Sequence, residues 1–114
     1  MPSHRVDRLD KDFKKEISAI LSAMKDERLN EFLSVMRVEV TSDLSYAKVY
    51  IGSLKGSEEA KEACALLKKA AGHIKTELSK RLRIRKVPEL SFIPDDSVDY
   101  YNKINSIIEG LKNE

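Results

Sequence analysis

The sequence predicts an α+β domain in which a small three-stranded sheet packs on helices. Apolar residues recur at helical spacing in three long stretches, and at alternate positions in two shorter ones that a turn separates. A third short apolar run lies between two prolines. With 114 residues the chain suits one compact domain, so we expect residues 1–114 to form a single unit.

The first helix is predicted from Arg5 to about Lys25. Its apolar residues recur every three or four positions and draw one stripe along the helix. Three aspartates lie in the early turns, where carboxylates favour the positive end of the helix dipole. The stripe consists of Val6, Leu9, Phe13, Ile17, Ile20, Leu21 and Met24.

Two strands follow the first helix. Met36, Val38 and Val40 alternate with polar residues, which indicates a strand with one covered face over 35–41. Turn-forming residues at 42–45 lead into a second alternating stretch through Ala47 and Ile51. The pair is expected to form an antiparallel hairpin.

The sequence next predicts a pair of helices that meet at a kink. Ser57 resembles an N-cap, because two glutamates follow it directly. Gly72 interrupts the apolar pattern at a cost of about 1 kcal/mol relative to alanine, and Pro88 ends the second helix by about Arg85. The predicted core positions are Ala60, Ala63, Cys64, Leu67, Ala70 and Ala71 before the kink and Ile74, Leu78 and Leu82 after it.

A third strand over Leu90–Ile93 and a last helix over about 96–112 complete the predicted order. Apolar positions from Val98 to Leu111 recur at helical spacing. A right-handed crossover through the helix pair is expected to join strands two and three.

Positive charge is concentrated in residues 60–86, which carry nine lysines and arginines against two acids. If Ile74 faces the core, Thr76, Ser79, Lys80 and Arg83 share the opposite face, with Lys75 and Lys86 beside them. Such a face favours a polyanion, and Gly72 would let a nucleic-acid backbone approach the amides of a helix N-terminus. The segment lacks interleaved aromatic residues, so we expect contacts to the backbone and not base stacking.

Other classes of protein receive no support from the sequence. No nucleophile motif, metal-ligand spacing or phosphate loop occurs, so we expect neither catalysis nor a metal or other cofactor. Cys64 is interpreted as a buried structural thiol. Because no apolar run is long enough for a membrane helix or a signal peptide, we expect a cytoplasmic protein without a membrane partner.

Together these residues resemble the bacterial ribosome-binding factor A family over nearly the whole chain. The matching pieces are 5–8 at the start of the first helix, 43–50 in the hairpin, Ala70-Ala71-Gly72 at the kink, 87–92 and 95–97. The resemblance implies a type II KH-like fold in which an Ala-x-Gly helix-kink-helix replaces the usual Gly-x-x-Gly loop.

The resemblance also implies a function. Members bind the free 30S subunit or its precursor, contact 16S rRNA, and support late maturation of the rRNA 5′ end, often most importantly in the cold. It implies a monomer, with an assembly GTPase as a further candidate partner. The residues it assigns to RNA binding are Lys68, Lys69, Ala71, Gly72, His73, Lys75, Lys80, Arg81, Arg83, Arg85 and Lys86, with Arg5 and Arg8 as a second basic contribution.

Two alternatives remain open at this point. The basic helix would also suit an acidic protein surface, which would make the chain a protein-interaction module. A general KH domain for single-stranded RNA is the other alternative. Binding that survives Lys80→Glu and Arg83→Glu would favour the first, and tight binding of short single strands the second.

Overall fold

A computed structural model describes residues 4–24, 26, 29 and 32–96, with side chains from Arg8 onward. It contains three helices and a three-stranded sheet in the predicted order. The elements are α1 (His4–Ala23), β1 (Leu33–Val40), β2 (Tyr46–Ser53), α2 (Ser57–Lys69), α3 (Ala71–Leu82) and β3 (Glu89–Pro94). The predicted last helix over about 96–112 lies outside the described residues, apart from Asp96.

Helix α1 packs on the sheet through the apolar stripe that predicts it. Phe13 and Ile17 are fully buried, and Ile20 is nearly so. The Asp10 carboxylate accepts a hydrogen bond of 2.8 Å from the backbone N–H of Val40, at the end of β1. Because the acceptor is charged, this bond is stronger than a neutral one and fixes α1 against the edge strand.

Strands β1 and β2 form the predicted antiparallel hairpin, in which Val40 pairs with Ala47. The turn is held by short polar side chains: the Thr41 hydroxyl donates to Asp43 at 2.8 Å, and the backbone N–H of Ser45 donates to Asp43 at 3.1 Å. Hydrogen bonds from the side chain of Thr41 and from the backbone of Ser45 lower the pKa of the Asp43 carboxyl.

The prediction that Met36 faces the core is wrong. The register shifts between Val35 and Arg37, which is the mark of a β-bulge. The extra residue turns Val35 inward, where it is 6% exposed, and leaves Met36 38% exposed on the other side of the sheet. The Met36 side chain lies there over Gly52, where a Cβ would come within 2.8 Å of its Cγ.

The N-cap predicted for α2 is also wrong by one residue. Gly56 occupies that position with a φ of 115°, and Ser57 is the first helical residue. A φ in this region is strained for any residue with a Cβ, so glycine fits the position and serine does not.

Strand β3 pairs with β2 in parallel, so β2 is the central strand. The inward residues of all three strands, among them Val38, Val49 and Phe92, form one cluster with the buried residues of the three helices. Residues on the other face of the sheet, such as Glu39 and Lys48, are exposed. The described helices therefore cover one face of the sheet and leave the other open.

Candidate nucleic-acid interface

The predicted kink is a junction of a single residue. Ala70 caps α2 at its C-terminus and α3 at its N-terminus, with φ −93° and ψ 6°. Its N–H donates to the carbonyls of Leu66 (3.2 Å) and Leu67 (3.1 Å), and its carbonyl accepts from the N–H of Ile74 at 3.0 Å. The two helices thus follow one another without a loop, which fixes the direction of α3 relative to α2.

Gly72 is exposed in the first turn of α3 and faces open space. A Cβ placed on it would meet no atom within 4 Å. Its φ does not lie in the left-handed region, because Gly56 is the glycine with positive φ among the described residues. Neither packing nor backbone conformation in this part of the chain therefore requires glycine at position 72.

Helix α3 ends three residues earlier than predicted, at Leu82 and not at about Arg85. Arg83 adopts a left-handed conformation with φ 53°, a common way to end a helix. The Ser79 hydroxyl donates to the Ile84 carbonyl at 3.0 Å and is half-buried. Ser79 thus holds the turn after α3 and does not share the open face of Thr76, Lys80 and Arg83.

Three of the predicted RNA-binding cations already have acidic partners. Lys75 pairs with Glu89 of β3 at 2.8 Å, with only 32% of its side chain exposed. Arg81 pairs with Glu16 of α1 at 3.5 Å. Lys80 has a weaker contact, 3.9 Å from Glu77. The partners Glu16 and Glu89 belong to other elements, so the local sequence around α3 gave no signal for them.

Of the cations predicted in residues 60–86, five make no ion pair with the part of the chain that the structure describes. All five are exposed and lie at the two ends of α3, and the twelve residues of α3 separate them by about 18 Å. They are Lys68 and Lys69 in the last turn of α2, and Arg83, Arg85 and Lys86 after α3. The free charge therefore forms two clusters, joined along α3 by Gly72, His73, Thr76 and Lys80, which are all exposed.

The remaining predicted residues differ in position. Ala71 is half-buried as the first residue of α3, and Arg8 is exposed on α1. The side chain of Arg5 lies outside the described residues. Because Arg81 pairs with Glu16, α1 lies beside the end of α3, and Arg8 is thus on the same side of the sheet as the cations around α3.

Other kinds of site receive no support in the described part of the chain. No group of three or more His, Cys, Asp or Glu side chains there could hold a metal ion. Burial raises the pKa of the Cys64 thiol to about 11, so it is a poor nucleophile. None of the helices described is long and apolar enough to cross a bilayer.

A cleft of about 420 Å³ opens between α1, the start of β1 and α2. Its described lining combines apolar side chains with three serines and includes no charged residue. It therefore adds nothing to a site for a polyanion. The lining residues are Ser18, Leu21, Ser22, Leu29, Leu33, Ser34, Val35, Ile51 and Leu67.

Comparison with known proteins places this fold in one family. The family profile described as Ribosome-binding factor A matches residues 5–108. The chain is 40% identical over 115 residues to Ribosome-binding factor A of Brevibacillus brevis, with all of this chain and 94% of the relative covered. It is 41% identical over 112 residues to the protein of the same name from Caldanaerobacter subterraneus, with 97% and 92% covered.

Solved structures agree with the sequence comparison. The crystal structure of ribosome-binding factor A from Thermus thermophilus superposes with a TM-score of 0.69 at 28% identity, covering 78% of this chain and 94% of that one. A homology model of the Thermus factor, fitted into a cryo-EM map of a 30S–RbfA complex, superposes with a TM-score of 0.64 at 28% identity and covers 75% and 90%. The chain therefore belongs to the ribosome-binding factor A family.

Proposed function

We propose that this protein binds the free 30S ribosomal subunit or its precursor through 16S rRNA. The observation that carries the proposal is its similarity to the Thermus factor that was fitted into a map of a 30S complex. The five free cations around α3 support a contact with rRNA, because phosphates are the dense negative charge of a ribosomal subunit.

The proposed contact uses a type II KH-like fold in which Ala70-Ala71-Gly72 stands in place of the Gly-x-x-Gly loop. The open space over Gly72 supports this, since a backbone without a side chain permits close approach of a ligand. Lys68 and Lys69 at one end of α3 and Arg83 at the other would contact phosphates on either side. Charge and shape would then position the protein, with little reading of base identity.

In this proposal the protein acts without catalysis. It would occupy its site during assembly, bias the conformation of 16S rRNA, and so support late maturation of the rRNA 5′ end, with the strongest need in the cold.

Sedimentation with purified subunits tests the binding. We expect the protein to migrate with 30S and not with 70S, and Lys80→Glu with Arg83→Glu to abolish that migration. Lys48→Glu, on the open face of the sheet, is the matched control and should migrate as the unaltered protein does. If about five phosphates are contacted, affinity should fall by about two to three decades between 50 and 200 mM salt.

An interaction with an acidic protein is the alternative that the free cations also favour. Migration with 30S that survives both charge reversals would contradict the rRNA contact. For the maturation role, deletion of the gene should cause 16S precursors to accumulate at low temperature. Normal rRNA processing in the deletion strain would count against that role.

A further inference from the structure

The outer face of α1 carries a second set of cations. Four basic side chains lie within two turns of the helix, and all are exposed. None makes an ion pair with the residues that the structure describes. Asp12 is the exposed acid among the described residues of α1. The set consists of Arg8, Lys11, Lys14 and Lys15, which we call the α1 basic face.

The other acids among the described residues of α1 have partners inside the protein. Asp10 accepts a hydrogen bond from the backbone N–H of Val40. Glu16, with 23% of its side chain exposed, pairs with Arg81 of α3. Two carboxylates that would otherwise balance the lysines are thus held against other elements, and the outer face keeps its positive charge.

Helix α2 shows the usual arrangement of a solvated face. Lys61 pairs with Glu58 at 3.3 Å, one turn earlier, and two further acids, Glu59 and Glu62, lie beside this pair in the first half of α2. The α1 basic face has no such pairing. Solubility needs mixed charges and not a cluster of one sign, so an external anion accounts for this cluster better than solvation does.

We propose that the α1 basic face is a second phosphate-binding surface, which contacts a different segment of RNA from the one at α3. The ion pair of Glu16 with Arg81 lies between the two surfaces, and Asp12, one turn from Glu16, lies on the same side of α1. This strip interrupts the positive surface. Both surfaces nevertheless lie on the helix side of the sheet, so one large RNA can contact both.

This inference rests on the proposed function, and it implies that one RNA molecule contacts both surfaces at once. A ligand that spans both surfaces binds more tightly, because the second contact is intramolecular and does not incur the entropy cost of association a second time. A short RNA that reaches one surface gains nothing. The geometry therefore favours a folded RNA with two neighbouring segments over a single short strand.

Replacement of Lys11, Lys14 and Lys15 by glutamine tests the inference, because glutamine keeps the length and the helix propensity of lysine. Binding to purified 30S subunits is measured between 50 and 200 mM salt. Loss of three phosphate contacts should weaken binding by about two decades at 100 mM salt and lower the slope of log K against log salt by about two to three. Lys48→Gln with Lys61→Gln is the matched control and should change neither quantity.

Comparison of the α1 and α3 variants distinguishes failure of this inference from failure of the proposed function. Arg83→Gln with Arg85→Gln should also weaken binding, and combining both sets should add their effects on log K. If the α1 variant binds as tightly as the unaltered protein while the α3 variant binds weakly, the second surface is refuted and the function stands. If neither set weakens binding, both fail. If the α1 variant loses affinity for 30S but not for protein-free 16S rRNA, the face contacts a ribosomal protein and the inference is wrong.

Discussion

Substitution of Gly72 by alanine should raise the stability of the protein and lower its affinity for the 30S subunit. Glycine costs up to about 1 kcal/mol relative to alanine inside a helix, and the structure shows no atom within 4 Å that the new Cβ would meet. Because Gly72 is the second residue of α3, where the helix is least constrained, we expect a gain of about 0.5 kcal/mol.

Thermal unfolding measures the first effect. For a domain of this size a gain of about 0.5 kcal/mol raises Tm by about 2–4 °C. Gly56→Ala is the matched control: its φ of 115° strains any other residue, so this variant should lose about 1–2 kcal/mol. Sedimentation with 30S measures the second effect of Gly72→Ala. The interaction should be weaker, because the methyl group would fill the space that the RNA backbone occupies in the proposed contact.

The two measurements refute different parts of this reasoning. If Gly72→Ala lowers Tm, the junction between α2 and α3 requires glycine for its own conformation. If Tm rises and binding to 30S is unchanged, the open space over Gly72 is not used by RNA. The interpretation that glycine at position 72 serves RNA binding is supported only if Gly72→Ala raises Tm and weakens binding to 30S.

The fold itself yields three further predictions. Asp10→Ala should cost about 1.5–3 kcal/mol in urea unfolding, because the backbone N–H of Val40 loses a charged acceptor at 2.8 Å; an unchanged midpoint would contradict that bond. Burial raises the pKa of the Cys64 thiol from 9.0 to about 11, so the folded protein holds the thiol proton more tightly than the unfolded chain does. The free energy of unfolding should therefore decrease as the pH rises from 9 to 11. Unfolding measured against pH should show a smaller decrease in Cys64→Ala. Gly52→Ala should be destabilising because its Cβ would lie 2.8 Å from the Met36 Cγ, and Met36→Ala in the same chain should remove most of that loss; additive losses would show that the contact is not the cause.

The helices and strands could be predicted because each repeats its burial pattern over several residues. The apolar stripe of α1 places Phe13 and Ile17 at the core, and both are fully buried. The bulge at Met36 could not be predicted, since one extra residue in a strand changes the inward side without changing composition. The N-cap of α2 was placed one residue too late for a similar reason. Ser57 has a side chain that N-caps favour, but the backbone conformation that begins the helix, with a φ of 115°, occurs at Gly56.

The sequence identified the basic residues of the candidate site but not their ion pairs or their positions relative to one another. Local charge identified the basic segment, yet the sequence could not show which cations are already neutralised. Arg81 pairs with Glu16, which lies 65 positions away, and Lys75 with Glu89, 14 positions away. The packing of α3 against α1 brings the first pair together, and the folded chain places Lys75 beside the start of β3. The free charge at the ends of α3 therefore became visible only in the folded chain.

The parallel pairing of β3 with β2 also means that the sheet can be completed only late in synthesis of the chain. The hairpin of β1 and β2 joins strands that are neighbours in sequence, whereas Leu90 of β3 pairs with Ala47 of β2, about forty residues earlier, across both intervening helices. Until residues 89–94 leave the ribosome during synthesis, the central strand has an unpaired edge that other chains can join. A nascent chain that stops before Glu89 would therefore leave this edge of β2 open as a template for aggregation, and β3 is the strand that covers it.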